Sequence, residues 1–207
     1  PRHRALVRTV AELKPDWIFI TGDLVNVRGG LPHLLRFLTE LRRLATVFVT
    51  LGNHDHYSGI RLDEFAEHFD HRKVTLLLNQ VTFLPMEVGE LAIVGLDDPS
   101  LHRADLRCIP SQRPGRFTLV LAHAPNILDQ LTPQHQADLT LCGHSHAGQW
   151  RIPYVPTFWL PPGCHGRTSG MYEKHGHRLY VNRGLGWSVI PMRMNCTPEI
   201  LLLEWAA

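Results

Sequence analysis

With 207 residues, 44% of them hydrophobic and 19% charged, the chain is long enough for one full core and reads as a single domain over 1–207. A formal charge of +2 is too small to imply a nucleic-acid partner, and no apolar run approaches the ~20 residues that span a bilayer. Four scattered cysteines with no CxxC pair exclude a zinc ribbon or thioredoxin-type motif and point to reduced thiols. With no signal peptide in the sequence, the expectation is a cytoplasmic or peripheral membrane protein. The unusual count is fourteen histidines, since neutral imidazole is the commonest metal ligand.

Leu6, Val7, Val10 and Leu13 recur at helical spacing across residues 4–14, which predicts a helix packed on a sheet. Its opposite face, with Arg4, Arg8 and Lys14, is one route to peripheral membrane contact. Pro15 ends it. The continuous apolar run at 17–21 predicts a buried parallel strand, and it stops at Gly22-Asp23. Residues 31–44 predict a second helix, with Pro32 at its start and leucines forming the stripe. The strand at 47–51 then ends in Gly52-Asn53-His54-Asp55, and alternation of helix and strand argues for parallel βαβ pairing.

Beyond a short helix at 63–69, runs at 74–78, 81–85 and 91–96 read as antiparallel strands, either continuing the first sheet or starting a second. Residues 97–115 read as loop. A strand at 117–121 ends in Ala122-His123; residues 126–131 predict a short helix capped by Asn126; a strand at 139–142 ends in Gly143-His144-Ser145-His146. Residues 149–172, rich in proline, glycine and aromatics, read as an irregular excursion, and strands at 179–182 and 200–205 close the domain.

Four apolar strands therefore end in Asp23, in Asn53-His54-Asp55, in His123, and in His144 with His146. In a mainly parallel sheet those ends share one edge, and core packing gains nothing by grouping polar side chains there. Carboxylate, amide oxygen and imidazole without thiolate suit Mn²⁺, Fe or Zn²⁺. The set exceeds the four ligands of a closed zinc site. A carboxylate such as Asp23 can bridge two cations, and two cations clamp a phosphoryl group and generate hydroxide near neutral pH. Hydrolysis of a phosphate ester is the leading chemistry, a small-molecule or lipid-linked phosphoester is the expected partner, and the alternative is a non-catalytic metal-binding domain.

The blocks Gly22-Asp23, Gly52-Asn53-His54-Asp55, Ala122-His123 and Gly143-His144-Ser145-His146, in this order, resemble those of the calcineurin-like metallophosphoesterases. The tail, at 143–149, 180–186 and 198–200, resembles the branch with bacterial membrane-associated phosphoesterases and UDP-2,3-diacylglucosamine hydrolases. The resemblance implies a four-layer α/β/β/α sandwich of two mixed sheets flanked by helices. It implies two divalent ions: Asp23 bridges, Asn53, His123 and His144 complete one site, and His146 binds the other ion. It assigns His54 to the phosphate and the leaving-group proton, and Asp55 to orienting a histidine. It also implies an opening strand ending in D-x-H, which Pro1-Arg2-His3 does not supply. The domain thus reads as N-terminally incomplete, lacking its first strand and two ligands of the first metal. Arg183 and Asn182 are candidates for phosphate contact, and His56 and His165 for reaching the site. Trp150, Tyr154, Phe158, Trp159 and Tyr172, among prolines that include Pro153 and Pro156, are candidates for a lid or acyl-chain groove.

Overall fold

In the computed structural model, which describes residues 2–152, 154, 157, 159–188 and 190–205, two sheets pack face to face with helices outside them. The first half runs α1 (Arg2–Leu13), β1 (Trp17–Thr21), α2 (Leu31–Arg42), β2 (Thr46–Thr50), α3 (Asn53–Tyr57), α4 (Leu62–Asp70) and β3 (Thr75–Leu76). Strands β1, β2 and β3 form one parallel sheet in that order. Trp17 lies opposite Thr46 and Thr21 opposite Thr50, so β1 and β2 end level and release Gly22-Asp23 and Gly52-Asn53 at the same height.

The second half supplies β4 (Gln80–Pro85), β5 (Glu90–Gly95), β6 (Arg116–Leu121), α5 (Ile127–Gln130), β7 (Leu139–Cys142), β8 (Gly170–Lys174) and β9 (His177–Val181). Its sheet order is β4-β5-β6-β7-β9-β8; β5, β6, β7 and β9 run parallel, while β4 and β8 are antiparallel edges. The mixing of strand directions thus belongs to the larger sheet.

Side-chain alternation along the strands makes the layers. In β2, Val47 and Val49 join Leu34, Leu38, Phe65 and Phe69 under the helices, while Phe48 faces the other sheet. In β6, Leu119 and Leu121 face the first sheet, and Val120 packs outward with Ile127, Leu128 and Leu131. Three apolar interfaces separate four layers, the expected sandwich. The Thr50 hydroxyl donates to the Leu96 carbonyl and ties the two sheets at the ligand-bearing end.

Three expectations change. The run at 74–78 becomes β3, parallel at the end of the first sheet, and the antiparallel hairpin β4–β5 starts the second. Residues 200–205 form no strand, although Leu201 and Leu203 pack between the sheets and Trp205 meets Phe117 edge-on at 5.0 Å between centroids. Strand β8 begins inside the stretch read as irregular. The start of the chain is helical, and His3 pairs with Glu40 of α2 at 3.1 Å, so it stands on the outer layer and not in a strand-end ligand block. Among the described residues, no helix is long and apolar enough to cross a membrane.

Candidate metal centre

Asp23, Asn53 and His144 each follow a glycine, and His123 follows a buried strand end, for steric reasons. A Cβ on Gly22 (φ +96°) would stand 2.5 Å from the Gly52 nitrogen and 2.7 Å from His123 Nδ1. One on Gly52 would stand 2.5 Å from Asp23 Oδ1 and 2.6 Å from His123 Cε1. Real Cβ atoms do not approach so closely, so the GD and GN pairs are what let the two loops and His123 meet. Asp23 (φ 55°), His144 (φ 64°) and His146 (φ 48°) all occupy the left-handed region, which non-glycine residues adopt at a cost and which clusters at functional sites.

Asp23, His123 and His144 converge, with one ligand atom from each lying within 4.8 Å of the others. Asp23 Oδ1 is 3.3 Å from His123 Nε2, and His123 Nε2 is 3.0 Å from His144 Nδ1. Neighbouring ligands of a tetrahedral ion with bonds of about 2.0–2.1 Å stand roughly 3.3 Å apart, so the spacing suits a cation. His123 Nδ1 donates to the Thr21 carbonyl at 2.7 Å, and His144 Nε2 donates to the Pro162 carbonyl at 2.7 Å. A carbonyl only accepts, so each contact fixes the tautomer and turns the other ring nitrogen toward the cluster.

The test of fit is Asn53 Oδ1, which is buried without a hydrogen-bond partner. An orphaned amide oxygen costs about 1–3 kcal/mol. Asn53 follows Gly52, whose backbone abuts Asp23 and His123, and a divalent ion there would satisfy the oxygen. The residues present therefore fit a metal, with Asp23, Asn53, His123 and His144 as its holders. His146 is outside this mutually close trio; it is partly buried, with Nδ1 3.5 Å from Arg193 Nη2.

The electrostatics match a cation site. Burial would raise Asp23, but the charge of His123 and their hydrogen bond outweigh it and hold the carboxyl well below its ordinary range. Burial would lower His123, yet Asp23 raises it to about 9. His144 is lowered by burial and then by the charge of His123. Burial, followed by Arg193, lowers His146 to about 4. A proton on His123 thus balances the carboxylate where a metal would otherwise do so.

His54 sits on α3 and its main-chain N–H donates to Asp23 Oδ1 at 3.0 Å. Asp55 is fully buried. Its Oδ1 accepts from the Leu24 and Val25 N–H groups at 2.8 and 3.0 Å, and its Oδ2 from Gly52 N–H at 2.9 Å. Among the described residues its hydrogen-bond partners are thus main chain, not an imidazole, so the expected histidine-orienting contact is replaced by a clamp on both ligand loops. Burial, reinforced by the charge of Asp23, pushes this carboxyl up to about 7 against the pull of the Gly52 and Val25 N–H groups.

A fifth strand end escaped the sequence. Because β5 runs parallel to β6, Asp97 and Asp98 fall on the ligand edge. Asp97 Oδ1 meets His56 Nε2 at 2.6 Å and its Oδ2 accepts from Arg103 at 2.9 Å. Asp98 is fully buried, accepts from Ser100, and helps raise His123. His56 is thereby placed at this edge, whereas His165 pairs with Asp129 at 2.7 Å. Arg183 pairs with Glu199 at 3.0 Å, and Asn182 Oδ1 accepts from Gly184 N–H in the turn after β9. Of the aromatic excursion, Tyr154 and Trp159 are exposed and Tyr172 packs on the outer core; Pro153, Pro156 and Phe158 lie outside the described residues.

Asp23, His123 and His144, gathered from the strand ends of two sheets, form a candidate metal centre in an α/β sandwich, with the buried Asn53 oxygen as a further candidate ligand. The calcineurin-like phosphoesterase model matches residues 1–148. A metallophosphoesterase of Bacillus subtilis, YkuE, is 32% identical over 95% of this chain and 70% of its own length. Phosphodiesterase YaeI of Escherichia coli is 31% identical over 93% of this chain and 71% of its own length. The solved structure of phosphopantetheinyl hydrolase from Mycobacterium tuberculosis aligns with a TM-score of 0.49 at 14% identity, covering 84% of this chain and 82% of that one. The chain belongs to the calcineurin-like phosphoesterase family. It is a metal-dependent phosphoesterase.

Proposed function

We propose that residues 1–207 act as one domain that hydrolyses a phosphodiester or pyrophosphate bond, with a lipid-linked or nucleotide-sugar molecule of the UDP-diacylglucosamine type as substrate. The observation that carries the reading is the Asp23–His123–His144 trio, with the buried, unpartnered oxygen of Asn53 in the residue after Gly52, which abuts Asp23 and His123. The name of the relative YaeI, a phosphodiesterase, supports a diester. Two divalent ions, of Mn, Fe or Zn, would supply Lewis acidity and an activated water when bound. Asp23, Asn53, His123 and His144 would hold one ion, and His146 would help hold the other. Asp55 keeps both ligand loops in register. His54, anchored through its N–H to Asp23, donates the proton that the leaving oxygen needs.

Hydrolysis of bis-p-nitrophenyl phosphate by the 207-residue chain with added Mn²⁺ tests this. His54→Ala is expected to keep its metal and lose about 10²–10⁴ in kcat, while His123→Ala loses the metal itself. Absence of turnover on diester, pyrophosphate and monoester with both ions bound would overturn the reading, and UDP-diacylglucosamine turnover tests the lipid substrate separately.

A further inference from the structure

Helix α3 is little more than one turn, too short to hold its own direction, yet it carries Asn53, His54 and Asp55. Two of its side chains fasten it, one toward each sheet. Asp55 grips the loops after β1 and β2 of the smaller sheet. His56 reaches the other way and meets Asp97, just beyond β5 of the larger sheet, at 2.6 Å from Nε2 to Oδ1. The contact is nearly dry, with 9% and 7% of the two side chains exposed. The same Oδ1 accepts from Asp98 N–H at 2.8 Å, so the carboxylate is the acceptor and the imidazole the donor.

Asp97 is held independently of that imidazole. Its N–H donates to Asn79 Oδ1 at 3.0 Å, and its Oδ2 accepts from Arg103 Nε at 2.9 Å. Asn79 Oδ1 also accepts from Asp105 N–H at 2.9 Å, and Asn79 Nδ2 donates to the Arg103 carbonyl at 3.0 Å. One asparagine before β4 therefore gathers the loop on both sides of Asp97, and the carboxylate is a fixed point for His56 to lean on.

Asn53 and His56 are three residues apart and so share a face of the helix. That face is turned to the larger sheet, whose strands β6 and β7 deliver His123 and His144. Any swing of α3 about the His56 contact moves the Asn53 oxygen relative to those imidazoles, and moves His54 with it.

We propose that Asp97, acting through His56, is a positioning residue that sets the angle of α3 and thereby where the Asn53 oxygen and the His54 side chain stand at the metal centre. The effect on His54 rests on the phosphoesterase reading; the effect on the Asn53 oxygen rests only on its being a metal ligand.

Calorimetric titration of the 207-residue chain with Mn²⁺ tests the second effect with no substrate present. His56→Asn, whose amide ends too short to reach Asp97, is expected to weaken Mn²⁺ binding about tenfold, with unchanged circular dichroism. His56→Gln, whose amide nitrogen stands near the place of Nε2–H, should recover most of that loss. Asp97→Asn, a milder change that keeps an acceptor for the imidazole but removes its charge, should fall between the two. In an Asn53→Ala background His56→Asn is expected to cost nothing further, because the ligand it positions is gone. A loss of equal size in both backgrounds, or the same weakening in Arg103→Ala, which leaves the His56 contact in place, would overturn the proposal. So would unchanged Mn²⁺ binding in both His56→Asn and Asp97→Asn. With bis-p-nitrophenyl phosphate, His56→Asn is expected to lower kcat about tenfold at saturating Mn²⁺ with KM unchanged, and to lower it no further in His54→Ala. Mn²⁺ binding that follows the expected pattern in a parent chain without turnover would leave the positioning standing and sink the functional reading. Turnover in the parent with Mn²⁺ binding indifferent to residue 56 would do the opposite.

Discussion

Asn53 and Asp55 are neighbours in one block, yet the structure gives them opposite energetic roles. The Asn53 oxygen is buried and unsatisfied, so in the metal-free protein it is a cost that Asn53→Ala removes. The variant is expected to melt at the same temperature or slightly higher in chelator, and to lose most of the stabilisation that Mn²⁺ confers on the parent. Asp55 satisfies three main-chain donors with two oxygens. In Asp55→Asn one of those sites must become an amide N–H facing a donor, which costs about 1–3 kcal/mol for each unsatisfied group. Chemical denaturation should show this loss with or without metal. A metal-free Asn53→Ala that is as destabilised as Asp55→Asn would contradict the assignment of the amide oxygen to an ion.

At the scale of elements, α5 and β8 are fastened to one loop by a single carboxylate. Asp129 on α5 accepts from Arg167 through both oxygens at 2.7 Å, from Lys174 of β8 at 2.8 Å, and meets His165 at 2.7 Å. Hydrogen bonding to Arg167 outweighs burial, and with Lys174 and His165 it holds the carboxyl well below its ordinary range. A depressed acid stabilises the fold above its unfolded pKa, about 3.9 for Asp, and that stability is lost as pH falls from there toward the folded value. The difference in urea midpoint between pH 6 and pH 3 is therefore expected to be smaller in Asp129→Asn than in the parent. The effect should stay near 1 kcal/mol, because the cluster faces solvent.

Legibility follows the same divisions. Strands β1 and β7 lie on the residues expected of them because both are short apolar runs cut by a glycine block. Strand β8 was hidden because it is an edge hairpin partner with alternate exposure, following a tract of proline and glycine. Asp97 and Asp98 were invisible as edge residues because nothing in a run such as Leu91 to Leu96 states that its neighbour will be parallel; that pairing is a property of the whole sheet. Likewise His177 has no strand-end context in sequence, yet it is buried against the Thr132 and Ala137 carbonyls. The candidate ligands Asp23, Asn53, His123 and His144 were readable since each follows a glycine or a strand terminus that the sequence displays.

Across the whole molecule, the candidate ligands are divided between the sheets. Asp23 and Asn53 follow β1 and β2 of the smaller sheet, while His123 and His144 follow β6 and β7 of the larger. A cation bound by all four would cross-link the two layers at one end, where the Asp23–His123 pair and the His123–Thr21 and Thr50–Leu96 hydrogen bonds already join them. Since the unfolded chain cannot assemble this set, binding is linked to folding: at a free metal concentration about 100 times Kd the gain is about 2.7 kcal/mol. For a chain of this size that is an upward shift in Tm of roughly 5–10 °C. The shift should disappear in His123→Ala, which removes a ligand from the larger sheet, and in Asp23→Ala, which removes one from the smaller. It should persist in His54→Ala, because that residue anchors through its main chain. Calorimetric scans of the four proteins with and without Mn²⁺ check this, and a full shift surviving in Asp23→Ala would mean that the cation does not bridge the sheets.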